Sequence, residues 1–283
     1  MSEPTPSGLA RHPHLAEPCP PGWVRVDMHV HTMWSGDAST TPQELADAVR
    51  ETGLDVLCVT DHGTIAGATA LAGRLPCRIV VGQEHRVPAG ELIGLFLTRR
   101  LPAGLSATEG AGAVRAQGGL AYAPHPLDPA RHCLDIRELE ELAAAGLLDA
   151  VEVLNAKTPD CAGDTGAAGG AAAPDPGGPP ARSAEAGARS AEAGARSAAF
   201  AAAWGIPCGA GSDAHVPEAL GAAFAEMPDF DGPASFAAAL RHARLVGHHC
   251  DPPRTWRPAV IPSDLDRRGR PARLGGTPAR SRP

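Results

Sequence analysis

Residues able to bind a metal ion follow five of the short apolar runs in this sequence. Their imidazole and carboxylate groups are nitrogen and oxygen ligands that zinc, manganese and iron accept. The five stretches are Asp27-Met-His29-Val-His31, Thr60-Asp61-His62, Glu84, Pro124-His125-Pro126 and Ser212-Asp213-Ala214-His215. If each run is a strand of a parallel sheet, the loops after the strands converge on one face. The sequence therefore predicts a metal centre on that face.

His29 and His31 are separated by one residue at the end of the first apolar run. Side chains two positions apart in a strand point to the same side, so the two imidazoles can chelate one ion. Taken alone, each of the five stretches could equally be a turn, a helix cap, a core histidine or polar surface. Their joint position at the ends of five runs favours metal binding.

The candidate ligands outnumber the three or four that one catalytic zinc ion needs. We therefore expect two or three ions, with a carboxylate such as Glu84 or Asp213 bridging neighbouring ions. Bridged ions lower the pKa of a shared water and hold it as hydroxide at neutral pH, which supplies a nucleophile. The residues thus predict a metal-dependent hydrolase.

The apolar runs alternate with helical signals. The runs lie at 24–28, 56–59, 79–81, 92–97, 120–123, 151–154 and 206–210. Residues 41–44 form a capping box with proline at the first helical position, and that helix is expected to end near Gly53. Residues 106–109 and 135–138 open two more helices in the same style. The alternation predicts successive βα units around a largely parallel sheet, in a single α/β domain.

Three parts of the chain lack this alternation. We expect a disordered leader over 1–22, a metallohydrolase domain over 23–251 and a basic tail rich in Pro and Arg over 252–283. Within the domain, residues 158–196 are rich in Ala, Gly and Pro and repeat one heptad in tandem. A coiled coil is the alternative there, but a seam of Ala and Gly buries little apolar surface. The prediction is a mobile insertion that could be partly helical near its end.

Composition restricts the partners and the compartment. The formal net charge of −7 argues against an extended face for duplex nucleic acid, whereas a small phosphorylated substrate or a short oligonucleotide stays compatible. The seven cysteines are scattered without a C-x-x-C pair, as expected in a reducing cytosol. The first twenty residues do not resemble a signal peptide, and no apolar run could span a membrane. We expect a cytoplasmic protein without a membrane partner.

The ordered set of motifs resembles that of the PHP (polymerase and histidinol phosphatase) family, over about residues 24–250 outside the insertion. The stretch from Gly90 to Ser106 resembles a subgroup of short PHP proteins. The matching strings are His29-Val-His31-Thr32, Ser35-Gly-Asp37, Thr60-Asp61-His62-Gly63, Gly82-Gln-Glu84, His125-Pro126 and Gly211-Ser212-Asp213-Ala214-His215.

The resemblance implies a fold and an activity. Similar proteins form a distorted (β/α)7 barrel, bind up to three divalent ions of Mn, Fe or Zn, and hydrolyse phosphoesters. Their activities include hydrolysis of histidinol phosphate and of nucleotide 3′,5′-bisphosphates, and 5′ to 3′ trimming of short oligonucleotides. We therefore expect a metal-dependent phosphoesterase acting on a small phosphate monoester or on a nucleotide or oligonucleotide phosphate, through in-line attack by hydroxide held on the metals. An activity like that of histidinol phosphatase is an alternative.

The resemblance also implies three metal positions built from eight side chains. The sets are His29, His31, Glu84 and Asp213 for one ion, Glu84 and His125 for a second, and Asp37, His62 and His215 for a third. Two positions depart from family members that carry histidine, namely Asp37 at the third ion and Glu91 near the fourth strand. Whether Glu91 is a ligand or only caps its strand stays open.

Residues for substrate binding and proton transfer are less sharply indicated. Arg131 and Lys157 are candidates for binding phosphate, with Arg131 favoured because its planar guanidinium matches phosphate oxygens. An ordinary surface arginine is the alternative. Either His215 or Asp61 could protonate the departing alkoxide, and the sequence does not choose between them.

Two other functions share some of these features. Amidohydrolases also begin with His-x-His, but many bridge their ions with a carboxylated lysine ahead of two later histidines. Here the single lysine, Lys157, follows His125. A non-catalytic metal-binding scaffold would have lost ligands, whereas nearly the full series is present. A dinucleotide-binding oxidoreductase fits least, because Gly209-Ala-Gly211 lacks a third glycine in register.

Overall fold

The computed structural model describes residues 12–157 and 181–250, in which nine strands form one sheet. The strands are β1 (Trp23–Val30), β2 (Val56–Val59), β3 (Arg78–Val87), β4 (Gly90–Leu95), β5 (Leu120–Ala123), β6 (Ala150–Asn155), β7 (Cys208–Gly211), β8 (Ala223–Pro228) and β9 (Arg244–Gly247). Their order in the sheet is β7-β6-β5-β4-β3-β2-β1-β8-β9.

Six α-helices accompany the sheet in the described part of the chain. They are α1 (Pro42–Thr52), α2 (Ala66–Leu71), α3 (Ala107–Arg115), α4 (Ile136–Ala144), α5 (Ala181–Trp204) and α6 (Pro233–Leu240), with short 3-10 helices at Pro13–Ala16 and Pro217–Ala219. Among these helices, none combines the length and the apolar character that a membrane crossing requires.

The first seven strands curl into a nearly closed barrel. β1, β2 and β3 run parallel to one another, as do β5, β6 and β7. The two ends of this series meet where Val30, at the end of β1, pairs in parallel with Ala214, just beyond β7. β8 and β9 add an antiparallel extension to the outside of β1. The predicted α/β fold, a distorted (β/α)7 barrel, is confirmed.

One strand departs from the predicted parallel order. β4 pairs antiparallel with both β3 and β5, instead of following a helical crossover. Only Pro88 and Ala89 separate β3 from β4, and two residues can form a hairpin but not a crossover. Consequently the beginning of β4, and not its end, lies beside the C-terminal end of β3.

Apolar residues from most of the strands fill the barrel. Met28 of β1, Ile93 of β4 and Tyr122 of β5 lie in one buried cluster with Phe236 of α6. Two further clusters pack α1 and α2 against β1 and β2, and α3, α4 and α5 against the other half of the barrel. Each fully buried large apolar side chain contributes about 1.5–3 kcal/mol to stability. The scaffold behind the polar strand ends is therefore well packed.

The predicted helix signals correspond to observed caps. Thr41 and Glu44 bond reciprocally at the start of α1, and Gly53 follows the helix with a φ of 65°. Ser106 and Glu109 form the same box at α3. Asp135 caps α4 by accepting from two backbone N–H groups of the first turn. These caps fix where each crossover helix begins.

The prediction allowed helix near the end of the insertion, and residues 181–196 belong to α5. Ala193 is buried, and a side chain at Gly194 would collide with the carbonyl oxygen of Val153 in β6. Small residues thus let the helix backbone lie directly on the barrel, so its partner is a strand and not a second helix. The rest of the predicted insertion, residues 158–180, lies outside the described residues, as do 1–11 and the tail.

The predicted disordered leader is wrong for residues 12–22. Leu15, in the first 3-10 helix, is 5% exposed and packs in the cluster around α1. The Arg25 guanidinium donates to the backbone oxygens of Leu15 and Glu17, which ties this segment to β1. Prolines in this segment favour a fixed but irregular backbone path. Such a path has no helix or strand periodicity, so the sequence pattern did not indicate it.

The turn before β4 makes a prediction about stability. Gly90 has a φ of 150°, and a side chain there would collide with the backbone of Cys133 and Leu134. We expect Gly90→Ala to lower the free energy of unfolding by about 3 kcal/mol or more, through strain and overpacking together. Gly112→Ala is the control, since open space surrounds that helical position; it should stabilise by about 0.5–1 kcal/mol. Urea denaturation of both variants would measure this, and equal effects would contradict it.

Candidate metal centre

Hydrogen bonds join the ends of β1 and β7 into a seam. The backbone oxygen of His29 accepts from the N–H of Asp213 at 2.8 Å, and the N–H of His31 donates to the oxygen of Ala214 at 3.0 Å. Gly211 makes the close approach feasible, because a side chain there would collide with His29. The seam places the two histidines of β1 beside the carboxylate of Asp213.

His29 and His31 direct their Nε2 atoms at the same region, with the two atoms 3.0 Å apart. On the opposite side of each ring, the Nδ1 of His29 lies 3.3 Å from Glu152 Oε1 and that of His31 lies 3.0 Å from Ser35 Oγ. A carboxylate only accepts, so the Nδ1 of His29 carries a proton and Nε2 is the nitrogen that can bind an ion. Metal-binding histidines are commonly oriented in this way.

The structure brings all eight predicted metal ligands together at one mouth of the barrel. They fall into sets whose ligand atoms lie within 4.8 Å of one another, namely His29, His31 and Asp213; His29, Glu84 and His125; His31, Asp37, His62 and His215; and His62, Glu84 and Glu91. Several residues belong to two sets, so neighbouring positions share ligands. Shared ligands are typical of sites that hold two or more ions.

Glu84 lies at the centre of these sets. Its Oε2 is 3.1 Å from His31 Nε2 and 3.2 Å from His62 Nδ1, while its Oε1 is 3.3 Å from His125 Nε2. Burial alone would raise the pKa of Glu84, but the charges of His29 and His62 hold it well below its usual range. The ionised carboxylate can therefore bridge two cations.

The donor set fits divalent ions. Asp37 Oδ1 and Glu84 Oε1 are buried without a hydrogen bond of normal geometry to the described residues, and such groups are costly unless something satisfies them. Imidazoles mixed with carboxylates are ligands that zinc, iron and manganese accept.

Glu91 lies at the site as a further member of the ligand sets. Its carboxylate oxygens are 3.8 Å from His62 Nδ1 and 3.9 Å from His125 Nε2, and its side chain is 6% exposed. The antiparallel direction of β4 explains this position, because the start of the strand faces the mouth. The geometry places Glu91 as a candidate ligand, with Arg86 balancing its charge at 3.4 Å.

Sequence reasoning missed Glu152 in β6. Its Oε1 lies beside His29 Nδ1, and its Oε2 accepts from the N–H of His125 at 2.6 Å and from Asn155 Nδ2 at 2.9 Å. Glu152 thereby orients two candidate ligands from two different strands. A carboxylate between Val151 and Val153 in a buried strand is the signal that could have identified it.

The third set lies nearest to solvent. Asp37 Oδ2 is 2.9 Å from His62 Nε2 and 3.4 Å from His215 Nε2, with side chains 14–18% exposed. Burial would lower the pKa of His62, but Glu84 and Asp37 raise it to about 10. Burial and Lys157 lower the pKa of His215 to about 4. His215 is therefore neutral at pH 7, as a metal ligand must be.

Two candidate ligands have strained backbones. His125 has a φ of 28° and Asp213 a φ of 50°, in the left-handed region that residues with a side chain seldom adopt. Such conformations cost about 1–3 kcal/mol each and persist where the surroundings impose them. Here the seam and the Glu152 contact hold both residues towards the mouth.

The two predicted phosphate-binding residues have different surroundings. Both terminal nitrogens of Arg131 are engaged, since Nη1 donates to Asp213 Oδ2 at 2.5 Å and Nη2 donates to Asn155 and to the backbone oxygen of Lys157. Its side chain is 5% exposed. The Lys157 side chain is 36% exposed, with Nζ 3.3 Å from His215 Nε2. The geometry fits Lys157 better for meeting a substrate at the mouth.

Asp61 has surroundings unlike those of a proton donor to substrate. It is fully buried, and both of its oxygens accept hydrogen bonds from Thr32, one of them from the backbone N–H at 2.7 Å. Burial raises its pKa to about 6. Asp61 thus fixes the residue that follows His31 and belongs to none of the ligand sets found among residues 12–157 and 181–250.

Comparison with known proteins agrees with this geometry. The PHP domain matches residues 27–86, and the PHP-associated region matches residues 192–245. An uncharacterized protein of Methanocaldococcus jannaschii is 35% identical over 148 residues, which are 82% of that protein and 47% of this chain. The chain belongs to the PHP family. Another uncharacterized protein of the same organism is 34% identical over 138 residues, which are 54% of it and 47% of this PHP chain.

Solved structures agree with the fold of the PHP chain. A two-domain protein from Bacteroides vulgatus, described as containing a predicted PHP-like metal-dependent phosphoesterase, superposes with a TM-score of 0.59 at 16% identity, covering 82% of this chain and 67% of that one. PsfC from Pseudomonas syringae superposes with a TM-score of 0.51 at 18% identity, covering 80% of this chain and 92% of that one. At these identities the likeness concerns the fold.

One buried carboxyl of this PHP chain lies behind the ligands. Asp27 Oδ1 accepts from the N–H of Ser212 at 2.9 Å and from that of His29 at 3.3 Å, so it helps to hold the seam. Its Oδ2 is buried without a hydrogen-bond partner among the described residues. Burial raises the pKa of Asp27 to about 7. The folded protein therefore binds this proton more tightly than the unfolded chain does.

Stability should consequently depend on pH through Asp27. Between about pH 4 and about pH 7 this carboxyl is ionised in the unfolded chain but still protonated in the folded protein. Raising the pH through this window therefore lowers the free energy of unfolding by up to about 4 kcal/mol. The Asp27→Asn variant should lack this pH-dependent loss. Its free energy of unfolding should therefore rise relative to that of the wild type as the pH is raised from about 4 to about 7. Urea denaturation with a chelator would measure the difference. The exposed Glu140→Gln is the control, and a pH-independent difference for Asp27→Asn would contradict the prediction.

Proposed function

We propose that this PHP chain is a metal-dependent phosphoesterase that hydrolyses a small phosphate monoester or a terminal phosphate of a nucleotide or short oligonucleotide. The observation that carries the proposal is the set of overlapping ligand groups that share Glu84 at one mouth of the barrel. The description of the Bacteroides vulgatus protein as a predicted metal-dependent phosphoesterase is consistent with it.

Bound ions of Mn, Fe or Zn would supply an activated water and neutralise charge on the phosphoryl oxygens. The chain's own residues prepare the mouth for this chemistry. Glu84 and Asp213 provide fixed negative charge between the histidines, and Glu152 holds the Nδ1 side of His29 so that Nε2 faces the metal position. The resulting site is rigid and excludes bulk water from its inner positions, where His29 and His31 are fully buried.

Two roles differ from those that the sequence indicated. We assign Arg131 to holding the Asp213 carboxylate and Lys157 to meeting the substrate phosphate. We also assign Asp61 to positioning the loop after β1, and His215 to metal binding, because its ring lies in one ligand set with His31, Asp37 and His62. Neither Asp61 nor His215 is then the general acid.

The competing functions are less well supported by the geometry. In an amidohydrolase a carboxylated lysine would lie between two metal positions, but here Glu84 takes that place and Lys157 lies beside His215. A scaffold that had lost catalysis would not need a complete set of buried ligands. Ester hydrolysis therefore remains the better account of the site.

The function is tested with three substrates in the presence of Mn²⁺ or Zn²⁺. These are histidinol phosphate, a nucleotide 3′,5′-bisphosphate and a short 5′-phosphorylated oligonucleotide, with released phosphate measured. We expect release from at least one. Glu84→Gln and Asp213→Asn should lower the rate by at least about 100-fold, because loss of even an outer partner of a metal ligand costs about 10–100-fold. The exposed Glu140→Gln should retain the full rate.

Metal analysis and circular dichroism separate the outcomes of that experiment. The variants should keep the fold while losing metal. If the wild type binds two or three ions and releases phosphate from none of the three substrates, the phosphoesterase proposal fails and the scaffold interpretation takes its place.

Kinetics separate the roles of Arg131 and Lys157. Arg131→Ala should raise the Mn²⁺ concentration for half-maximal activity by about 10–100-fold, since it removes the partner of a metal ligand, with KM little changed at saturating metal. Lys157→Ala should raise KM by about 10-fold or more, as expected for a lost charged hydrogen bond. Steady-state rates over a grid of metal and substrate concentrations would show this. A KM effect confined to Arg131→Ala would reverse the two assignments.

A further inference from the structure

A second group of metal-binding side chains shares no residue with the sets at the barrel mouth. His12, His248 and Cys250 place one ligand atom each within 4.8 Å of one another. Zinc, with bonds of about 2.0–2.3 Å in a tetrahedral site, puts its ligand atoms roughly 3.3–3.7 Å apart. Small side-chain movements would therefore bring these three atoms into one coordination sphere.

Hydrogen bonding fixes which nitrogen of His12 can bind an ion. Its Nε2 lies 3.2 Å from the backbone oxygen of Glu218. A carbonyl oxygen only accepts, so the ring proton belongs on Nε2 and the lone pair remains on Nδ1. Metal-binding histidines very often donate their other N–H to a backbone carbonyl in this manner.

A relay through His14 fixes the ring of His248 in the same way. His14 Nε2 lies 3.0 Å from the backbone oxygen of Gly221, so it carries the proton and Nδ1 can only accept. That Nδ1 is 3.4 Å from His248 Nδ1, which must then be the donor. The lone pair of His248 is then left on Nε2.

The backbone holds the two C-terminal members in place. The N–H of His248 donates to the oxygen of Ala222 at 2.9 Å, and that of Cys250 donates to the oxygen of Ala156 at 2.7 Å. The N-terminal member precedes the 3-10 helix whose Leu15 is anchored in the core. Each candidate ligand thus stands on an ordered part of the chain.

We propose that His12, His248 and Cys250 bind a zinc ion that clasps the segment before β1 to the segment after β9, with His14 orienting His248. Two imidazoles and a thiolate suit zinc and disfavour magnesium or manganese. Water would complete the coordination. On binding, the Cys250 thiol gives its proton to solvent and its sulfur forms the bond to zinc.

Cobalt substitution in the full chain tests the clasp. A thiolate bound to Co²⁺ gives a charge-transfer band in the near ultraviolet, which imidazole and carboxylate ligands do not give. The sets at the barrel mouth contain no cysteine among the described residues. We expect the band to level off at the intensity of one thiolate-bound ion per chain, as one tetrahedral site requires, whatever cobalt the barrel mouth also binds, and to vanish in Cys250→Ser. Cys19→Ser and Cys161→Ser should retain it.

Histidine variants test the relay. His14→Ala should weaken cobalt binding at the clasp by about 10–100-fold, the usual effect of removing an outer partner, while the band returns at higher cobalt. The exposed His242→Ala should bind as the wild type does. A wild type that binds cobalt without the band, or a Cys250→Ser variant that keeps it, would overturn the proposal.

Alkylation of the wild type supplies a test that needs no variant. Zinc should slow the reaction of Cys250 with iodoacetamide, followed by mass spectrometry of the peptide, whereas manganese should not. Unchanged alkylation of Cys250 at zinc concentrations that saturate the chain would equally overturn the clasp.

Discussion

Buried negative charge at the barrel mouth is the constraint on which the rest of this structure depends. Glu84 and Asp213 are 1% and 3% exposed, and a buried carboxylate without a cation costs several kcal/mol. In the metal-free protein, protons supply part of the compensation. Burial would lower the pKa of His29, but Asp213 and Glu84 raise it well above its usual value. Metal ions and protons therefore compete for the same nitrogen atoms, and metal binding should release protons.

Close backbone packing lets so many polar groups meet without water between them. A side chain at Gly67 would collide with the Asp61 carboxylate and with Thr32, the pair that fixes the loop after β1. Gly211 likewise permits close approach at the seam, because a side chain there would collide with His29. The glycines thus allow the loops to approach, and the hydrogen bonds of Asp61 then hold His31 in register with Asp213.

Local patterns, namely apolar runs and the polar residues that end them, predicted an α/β fold with a metal centre at the strand ends. The barrel and the set of eight ligands were implied by the resemblance to the PHP motif series. The sequence left Glu91 open because the hairpin reverses β4, so that a residue at a strand's start, and not at its end, reaches the mouth. Glu152 was missed because a carboxylate that orients metal ligands without belonging to a ligand set has no characteristic sequence spacing from those ligands. The Ala and Gly repeats around Gly194 were judged too poor in apolar side chains to pack against a second helix. In the structure these small residues pack instead against the backbone of β6.

The end of β9 lies closer to the chemistry than its place in the chain suggests. Cys250 pairs in parallel with Lys157, and the N–H of Ala156 donates to the oxygen of Gly211, the last residue of β7. Lys157 is therefore held between the seam on one side and the end of the chain's last described strand on the other. Because its Nζ reaches His215 and Asp213, anything that secures residue 250 also restricts where that ammonium group can lie. The path from Cys250 to the mouth is short and runs through the backbone hydrogen bonds of Ala156.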